Sequence, residues 1–471
     1  MGHNLLCRIG GARLGIDRVD AAPADEGVAR SLAPRETLFV GITLFSMFFG
    51  AGNLILPPLL GVQAGRDSLP AIVGFFIAGV GLPVLGIVAV ALAGTLRDLA
   101  ARVHPTFSRV FVALVYLAIG PCLAIPRTAS TAFEMLSPLL GDMVAPEVAR
   151  LVFSVAFFVV AYALAMRPGR LTKLLGRLTG PALILLIVAV VGASVASLLC
   201  LPSLPSAAPV APYDHNAAVQ GFLTGYQTMD LLASLTFGIV ISQNVRSLGV
   251  VDSGGVMREV CRAGAIAGAL MVAIYGGLCA VGFELCDQLA GVSNGAAVIT
   301  ASASLHFGVA GTVVVAAIFL LACLNVCVGL ISCCGTYFSE ELPRLSYRSC
   351  AIAFAVFSCA LSNLGLDAIL SFSATLLGIL YPPAIVLVVM GMLRRVCDRV
   401  PAIWPWTVGT AVVVSAATGL RDAFAPGLTL PLDGLPLADL GLGWVVPTAL
   451  VALVVALVSS LLHTRDGRSV A

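Results

Sequence analysis

Two short polar segments interrupt apolar runs of this sequence and carry residue types that could bind a small polar ligand. The first, Gly50 to Asn53, reads Gly-Ala-Gly-Asn and is followed by Pro57-Pro58. Glycine lowers helix propensity by about 1 kcal/mol per residue, and asparagine competes for backbone hydrogen bonds. Pro57 removes a donor and clashes with the carbonyl group four residues earlier. We therefore predict a helix break whose free backbone groups face a ligand.

The second segment, Gly225 to Asp230, reads Gly-Tyr-Gln-Thr-Met-Asp. Thr228 can cap a half-helix that begins here, and the helix dipole favours an anion at Asp230 in its first turn. An ionisable residue inside a membrane span is a functional candidate by default. The alternative for the glycines of both segments is close helix packing, and the alternative for Asp230 is a structural cap or a buried partner for Tyr226.

The elements that position these segments are those of a membrane protein. Of the 471 residues, 59% are hydrophobic and 11% are charged, whereas soluble domains are about 45–50% apolar and about 25% charged. Residues 1–35 are predicted to form a disordered cytoplasmic tail, and the remainder is one membrane domain whose partner is the lipid bilayer. The basic residues sit in short loops without a continuous patch, so nucleic acid is not an expected partner.

We predict about twelve helical spans, since a span needs about 20 apolar residues. With both termini cytoplasmic, of the 26 Lys and Arg residues only Arg66, Arg127, Arg150 and Arg421 fall outside the inner side, as the positive-inside rule requires. The chain is therefore predicted to be an all-α polytopic protein of the cytoplasmic (inner) membrane. The predicted spans are 37–60, 69–94, 109–128, 148–166, 180–200, 218–242, 261–284, 308–337, 347–364, 366–392, 402–420 and 443–462.

The two polar segments lie in spans 1 and 6, five spans apart. Interrupted helices at corresponding places in successive halves indicate an inverted-repeat transporter with its site at the membrane midplane. We predict a five-plus-five inverted repeat with broken helices 1 and 6. Repeat 1 covers 36–200, repeat 2 covers 201–400, and helices 11 and 12 with the cytoplasmic C-terminus occupy 401–471.

Such a site suits an amino-acid zwitterion, because half-helix ends offer N–H groups to a carboxylate and carbonyl groups to an ammonium. Apolar neighbours would receive an aliphatic side chain. One methylene discriminates by only about 1–3 kcal/mol, so several aliphatic amino acids should be accepted. The candidate substrate-binding residues are Phe48, Phe49, Gly50, Ala51, Gly52, Asn53, Gly225, Tyr226, Thr228 and Met229.

Five blocks taken in order resemble the bacterial branched-chain amino acid:cation symporters, the carriers for leucine, isoleucine and valine. The resemblance covers nearly the whole chain after residue 36. The blocks are Phe48 to Ile55 with Pro57-Pro58, Gly120-Pro121 with Ala124 to Ala129, Gly221 to Leu223 with Gly225-Tyr226 and Thr228 to Asp230, Leu321 to Leu324 with Gly329-Leu330, and Tyr381-Pro382-Pro383.

The resemblance implies the amino acid/polyamine/organocation-type fold, with sodium as the coupling ion in most members and a cation between spans 1 and 8. The family usually has two threonines after Ala-Cys-Leu of span 8, where this chain has Asn325 and Val326, and valine supplies no side-chain oxygen. Coupling to protons through Asp230 or Glu134 is the alternative. The candidate cation or coupling residues are Gly50, Asn53, Asp230, Ala322 and Asn325.

Arg127 and Glu134 are predicted to lie two helical turns apart near the outer end of span 3, on roughly the same face, where they would gate the outer vestibule. The alternative is an interfacial ion pair or an anchor at the lipid headgroups. The predicted function is import of branched-chain amino acids with a cation, Na⁺ being the expected ion, by alternating access. A proton-coupled carrier of other small neutral amino acids and a non-transporting amino acid sensor are the alternatives.

Enzyme and channel functions are not expected. The sequence has no HExxH, no GxSxG and no pair of membrane-buried aspartates, and its polar residues cluster at midplane instead of lining a continuous pore. No cofactor is expected, and no metal beyond Na⁺ (or H⁺ in its place) as the coupling ion.

Overall fold

The computed structural model describes residues 31–140, 145–166, 170–289, 291–425 and 427–466. Within these ranges the regular structure is helical and contains no strand, which confirms the all-α class. The predicted N-terminal tail lies almost entirely outside the described residues.

The helices follow the order of the predicted spans. They are α1 (Pro34–Phe48), α2 (Ala51–Ala64), α3 (Ser68–Phe76), α4 (Leu82–Ala93), α5 (Leu96–Ala101), α6 (Pro105–Leu117), α7 (Ala124–Leu140), α8 (Pro146–Ala165), α9 (Arg170–Cys200), α10 (Ala217–Tyr226), α11 (Asp230–Ser247), α12 (Ser253–Glu284), α13 (Gly295–Glu341), α14 (Tyr347–Ser362), α15 (Leu366–Met392), α16 (Arg394–Cys397), α17 (Ile403–Phe424) and α18 (Val445–Asp466). Short π segments, Ile77–Gly81 and Ala118–Cys122, continue α3 into α4 and join α6 to α7.

Eight helical stretches of the described ranges are long and apolar enough to cross a membrane by length and composition. Two further apolar helices, Tyr347–Ser362 and Val445–Leu461, are shorter. Each half of a broken span is shorter than a continuous transmembrane helix, so a criterion based on helix length does not count the halves separately. The number twelve therefore stays a prediction, although every predicted span has a helix or a pair of helices at its position.

Both predicted breaks are present. Helix α1 ends at Phe48, Phe49 and Gly50 are not helical, and α2 begins at Ala51. In the second break, Met229 adopts a left-handed conformation with φ 64° immediately before α11. A non-glycine residue in this conformation costs roughly 1–2 kcal/mol, so the surrounding helices must hold the turn.

The helix contacts repeat between the two halves of the chain. Helix α2 of span 1 packs on α12 of span 7, and α10 of span 6 packs on α3 of span 2. Likewise α4 of span 2 packs on α15 of span 10, and α12 of span 7 packs on α9 of span 5. Each span of the first repeat corresponds to the span five positions later in the second. Under this correspondence the contact of spans 1 and 7 is equivalent to that of spans 6 and 2, and the contact of spans 2 and 10 is equivalent to that of spans 7 and 5. This is the contact pattern of a five-plus-five repeat.

Span 3 is longer than predicted, and the prediction that Arg127 lies near its outer end is wrong. The helical stretch runs from α6 through the π segment into α7, and Gly120 within it departs from helical geometry (φ −105°, ψ −121°). The prediction ended this span at 128. Thr128, Ser130 and Thr131, at and just beyond that boundary, are buried inside the protein, where lipid does not limit polarity.

Two other boundaries also differ from the prediction. Helix α13 begins at Gly295, well before the predicted residue 308, and bends at Gly308, whose φ of 63° favours glycine. Helix α9 begins at Arg170, so most of the basic segment 167–177, predicted as a loop, is helical. Residues 167–169 lie outside the described residues.

Candidate substrate and cation site

The two helix breaks border one cavity of about 330 Å³. This volume is at the lower end of the range typical of small-ligand sites, about 300–1,000 Å³. The wall comes from the two broken spans, from α7 and from α13. The predicted site residues that line it are Phe48, Phe49, Gly50, Gly52, Asn53, Arg127, Thr228, Met229, Asp230 and Asn325.

The side chains of Asn53 and Asp230 join the two breaks. The amide nitrogen Nδ2 of Asn53 lies 3.0 and 2.9 Å from the two carboxylate oxygens of Asp230. It also lies 3.0 Å from the carbonyl oxygen of Phe48, the last residue of α1. Asp230 is only 2% exposed, and its backbone N–H donates to the hydroxyl of Thr228. One amide thus fixes the end of α1 relative to the start of α11.

Tyr275 of α12 completes this network and was not among the predicted site residues. Its hydroxyl donates to Oδ2 of Asp230 at 3.1 Å and also contacts Nδ2 of Asn53. Its ring meets Phe75 edge-on, with ring centroids 5.5 Å apart. A lone tyrosine in the apolar span 7 was the available signal. Its relevance depends on the packing of span 7 against span 1, which the local pattern does not show.

We expect Tyr275→Phe to lower the free energy of unfolding by about 1–2 kcal/mol, because the buried carboxylate of Asp230 loses one of its hydrogen-bond donors. Transport should be weakened but not lost, since Asn53 still contacts Asp230. The measurement is the unfolding temperature in detergent together with leucine uptake. Tyr162→Phe is the matched control, because the buried hydroxyl of Tyr162 has no hydrogen-bond partner in the described part of the protein. Equal effects of both substitutions would contradict the role of Tyr275.

Arg127 lies inside the site with its guanidinium against the break in span 1. The residue is 3% exposed, and its Nη1 donates to the carbonyl oxygen of Gln227 at 2.7 Å. A Cβ atom on Gly52 would lie 2.9 Å from Nη2 and 3.0 Å from Cζ of Arg127. The absence of a side chain at Gly52 is therefore what admits the guanidinium.

Gly225 and Tyr226 lie outside the wall of this cavity. A Cβ atom on Gly225 would lie 2.6 Å from Cβ of Ala78, so this glycine permits close packing of α10 on the second span. The ring of Tyr226 stacks on Tyr381, with centroids 4.2 Å apart. The packing alternative for the glycine thus has structural support.

Three other predicted residues are placed as follows. Ala322 packs against the large hydrophobic cluster around spans 1 and 7 and does not line the cavity. Glu134 is half-buried two turns along α7 from Arg127, with Arg150 and Asp367 as its charged neighbours. Ala51 begins α2, and its side chain lies outside the described part of the protein.

The cavity offers oxygen atoms that suit a hard cation. The last carbonyl groups of a helix have no intrahelical donor, and Ser46 and Met47 near the end of α1 both line the cavity. Asn325 and Val326 of α13 line the same cavity, and the side chain of Val326 supplies no oxygen. Carbonyl and amide oxygens are ligands of hard cations, so this donor set fits Na⁺ with fewer side-chain hydroxyls than the family pattern has.

A family model described as branched-chain amino acid transport protein matches residues 33–462. The chain belongs to this family. Curated members of the branched-chain amino acid transport family are similar to it over nearly their whole length. The system 3 carrier protein of Pseudomonas aeruginosa is 39% identical over 445 residues, which are 92% of this chain and 98% of that protein. The permease BraB of Bacillus subtilis is 36% identical over 422 residues, 88% of this chain and 94% of that protein.

The permease BrnQ of Escherichia coli K12 is 34% identical over 431 residues, 90% of this chain and 95% of that protein. Because these relatives are named permeases or carrier proteins, this member of the family is a multi-pass membrane transporter and not an enzyme.

Solved structures of transporters share the fold of this chain. The inward-facing conformation of Mhp1 matches with a TM-score of 0.57 at 12% identity, covering 92% of this chain and 95% of that one. A closed conformation of Mhp1, described as a nucleobase-cation-symport-1 family transporter, matches with a TM-score of 0.56 at 14% identity, covering 93% and 94%. At these identities the likeness concerns the fold alone.

Proposed function

We propose that this protein imports leucine, isoleucine and valine together with a cation, by alternating access, across the bacterial inner membrane. The observation that carries the proposal is the cavity of about 330 Å³ into which both helix breaks open, with Asn53 and Asp230 joining them. Family membership supports the substrate class.

The charges around the cavity favour a zwitterion. Arg127 and Asp230 form no contact ion pair, but each lies within electrostatic range of the other. Together they make the site neutral while offering one charge of each sign. A substrate carboxylate would bind to the N–H groups of Arg127 that Gln227 leaves free and to the start of α2. The ammonium would bind to the carbonyl groups at the end of α1.

The apolar part of the wall suits an aliphatic side chain. Phe48 and Phe237 pack together with centroids 5.7 Å apart, and Ile119, Met229 and Leu330 also line the cavity. A pocket of this kind rejects a charged side chain by desolvation but separates leucine from valine by only about 1–3 kcal/mol. We therefore expect all three branched-chain amino acids to compete for uptake.

The position of the cavity fits one state of an alternating-access cycle. Its wall includes the last turn of α1, the first turns of α11 and residues as far along α13 as Cys333. With cytoplasmic termini, all of these belong to the cytoplasmic halves of their spans. The cavity would then be the inward-facing form of the site, and the outward-facing form requires the break regions to rearrange.

The coupling ion is tested by leucine uptake into proteoliposomes under two separate gradients. We expect an inward sodium gradient at equal pH to drive accumulation and a proton gradient without sodium to drive none. Asn325→Ala should raise the sodium concentration for half-maximal uptake about tenfold, which corresponds to about 1.4 kcal/mol of lost ligand energy. The control is Asn363→Ala, because Asn363 bonds to Cys359 at the end of α14, away from the cavity.

Accumulation driven by the proton gradient alone would replace sodium by the proton as the coupling ion. Uptake of small neutral amino acids without competition from leucine would favour the alternative substrate class. Saturable leucine binding without uptake under either gradient would favour a sensor on the same fold.

A further inference from the structure

A second and larger cavity, of about 450 Å³, lies on the opposite side of the second break from the site described above. Its wall is formed by α10, α15, α17 and the segment between α17 and α18, and it includes the polar residues Gln220, Thr224, Thr375 and Thr418. With cytoplasmic termini, this cavity is on the outer side of the membrane. We call it the outer cavity.

The outer cavity and the midplane site meet at a single backbone segment. Gln227 lines the outer cavity, and Thr228, the next residue, lines the midplane site. Arg127, on the midplane side, donates to the carbonyl oxygen of Gln227 at 2.7 Å. The segment Gln227–Thr228 therefore borders both cavities, and the hydrogen bond from Arg127 ties it to the midplane site.

The rim of the outer cavity carries a net negative charge. The guanidinium of Arg421 binds the carboxylates of Asp422 and Asp433, and all three residues line the cavity. The second oxygen of Asp433 also accepts from the backbone N–H of Leu430 at 2.7 Å. The contacts of Arg421 with Asp422 all use Oδ1, which leaves Oδ2 of Asp422 for a cationic group.

Two buried donor groups of the outer cavity have no hydrogen-bond partner within the described ranges. They are the indole N–H of Trp444 and the hydroxyl of Tyr226, and both residues line the cavity. Tyr226 is 4% exposed. A buried donor without a partner costs about 1–3 kcal/mol, so a ligand with acceptor oxygens would be stabilised here.

We propose that the outer cavity is a second binding site for a zwitterionic aliphatic amino acid, occupied before the substrate reaches the midplane site. The ammonium binds at Asp422 on the rim, and the carboxylate accepts from Trp444 and Tyr226. Leu223 and Leu432 of the wall contact the aliphatic side chain. The proposal rests on the proposed function for the identity of the ligand only, because the cavity and its donors are separate from the midplane site.

Tryptophan fluorescence tests this proposal, since the chain contains only three tryptophans, and Trp444 is the one in the outer cavity. The variant Trp404→Phe/Trp406→Phe leaves Trp444 as the only indole. We expect L-leucine to change its emission saturably in the purified protein. 4-Methylpentanoate, which lacks the ammonium, and isoamylamine, which lacks the carboxylate, should each need a higher concentration than leucine for the same change in emission.

Adding Asp422→Asn to the Trp404→Phe/Trp406→Phe variant should raise the half-saturating leucine concentration about threefold. The effect is small because the ion pair between the ammonium and Asp422 is partly exposed. Asp439→Asn is the control, because Asp439 is exposed in the same segment and does not line the cavity. The response should persist after Gly52→Leu, which blocks the midplane site. A response lost with Gly52→Leu, or equal responses to all three compounds, would overturn the proposal.

A second measurement uses the native tryptophans and covers the case in which the double substitution unfolds the chain. Equilibrium binding of radiolabelled leucine should give two sites per chain, and one site in Trp444→Phe. One site in both proteins would overturn the proposal and leave the midplane site intact. No binding in either protein would overturn the proposed function as well.

Discussion

Asp230→Asn should reduce leucine uptake to about one hundredth of the native rate or less, a loss of about 2.7 kcal/mol or more. The substitution preserves the shape of a side chain that is 2% exposed and contacts Asn53 and Tyr275. Among the described residues that line the midplane cavity, Asp230 is the one acidic side chain, so the substitution leaves Arg127 as an uncompensated buried cation. A buried charge without a nearby opposite charge is unfavourable, so the substitution should also lower the stability of the protein. The measurement is initial uptake into proteoliposomes under the preferred gradient.

A second variant separates loss of function from loss of folding. Arg127→Gln/Asp230→Asn has no net charge at the site, so its unfolding temperature should recover toward the native value while its uptake stays abolished. Asp439→Asn removes an exposed carboxylate of the segment between α17 and α18, and it should leave the unfolding temperature and the leucine uptake unchanged. Near-native uptake by Asp230→Asn would show that this carboxylate is a structural cap and would remove it from the transport mechanism.

Gly52→Leu should abolish transport while the protein still folds. A Cβ at this position already lies 2.9 Å from Nη2 of Arg127, so the longer side chain must displace the guanidinium and occupy part of the cavity. The displaced atoms belong to the end of a flexible side chain, so the cost to folding is modest. Gly52→Ala should be milder, with about a tenfold rise in the leucine concentration for half-maximal uptake, or about 1.4 kcal/mol.

Two other glycines provide matched controls for the change of backbone freedom. A Cβ at Gly192 of α9 or Gly409 of α17 would meet nothing within 4 Å, and neither residue lines the cavity. Gly192→Ala and Gly409→Ala should therefore transport normally and unfold at the native temperature or slightly above it. Leucine uptake at the native rate by Gly52→Leu would disprove the assignment of the substrate site to the first break.

Much of the fold could be predicted from the sequence because contact with lipid requires apolar side chains at each exposed position of a span. Every lipid-facing turn must be apolar over about 20 residues, so the span order and the two breaks appear as local patterns. The same rule misled the prediction where a span is shielded from lipid. The predicted span 3 ended at 128, yet the helix continues to Leu140, and its polar residues Thr128 and Ser130 are buried inside the protein.

The candidate site was predictable only in part. The breaks at Gly50 and Met229, with Asn53 and Asp230 beside them, were visible from composition and spacing, and the repeat argument placed them together. The packing role of Gly225 against Ala78 was an open alternative, because a small residue has the same appearance in a packing interface and in a binding site.

The sequence by itself determined the class of the protein, the order of its helices, the two interruptions and the family. Only the tertiary structure decided that the guanidinium of Arg127 lies against Gly52, that Tyr275 donates to Asp230, and that Gln227 separates two cavities. The physical reason is the separation along the sequence of the residues that interact. A helix break is set by the residues within one turn of it, whereas Asn53 and Asp230 are 177 positions apart and meet only when the two repeats pack against each other.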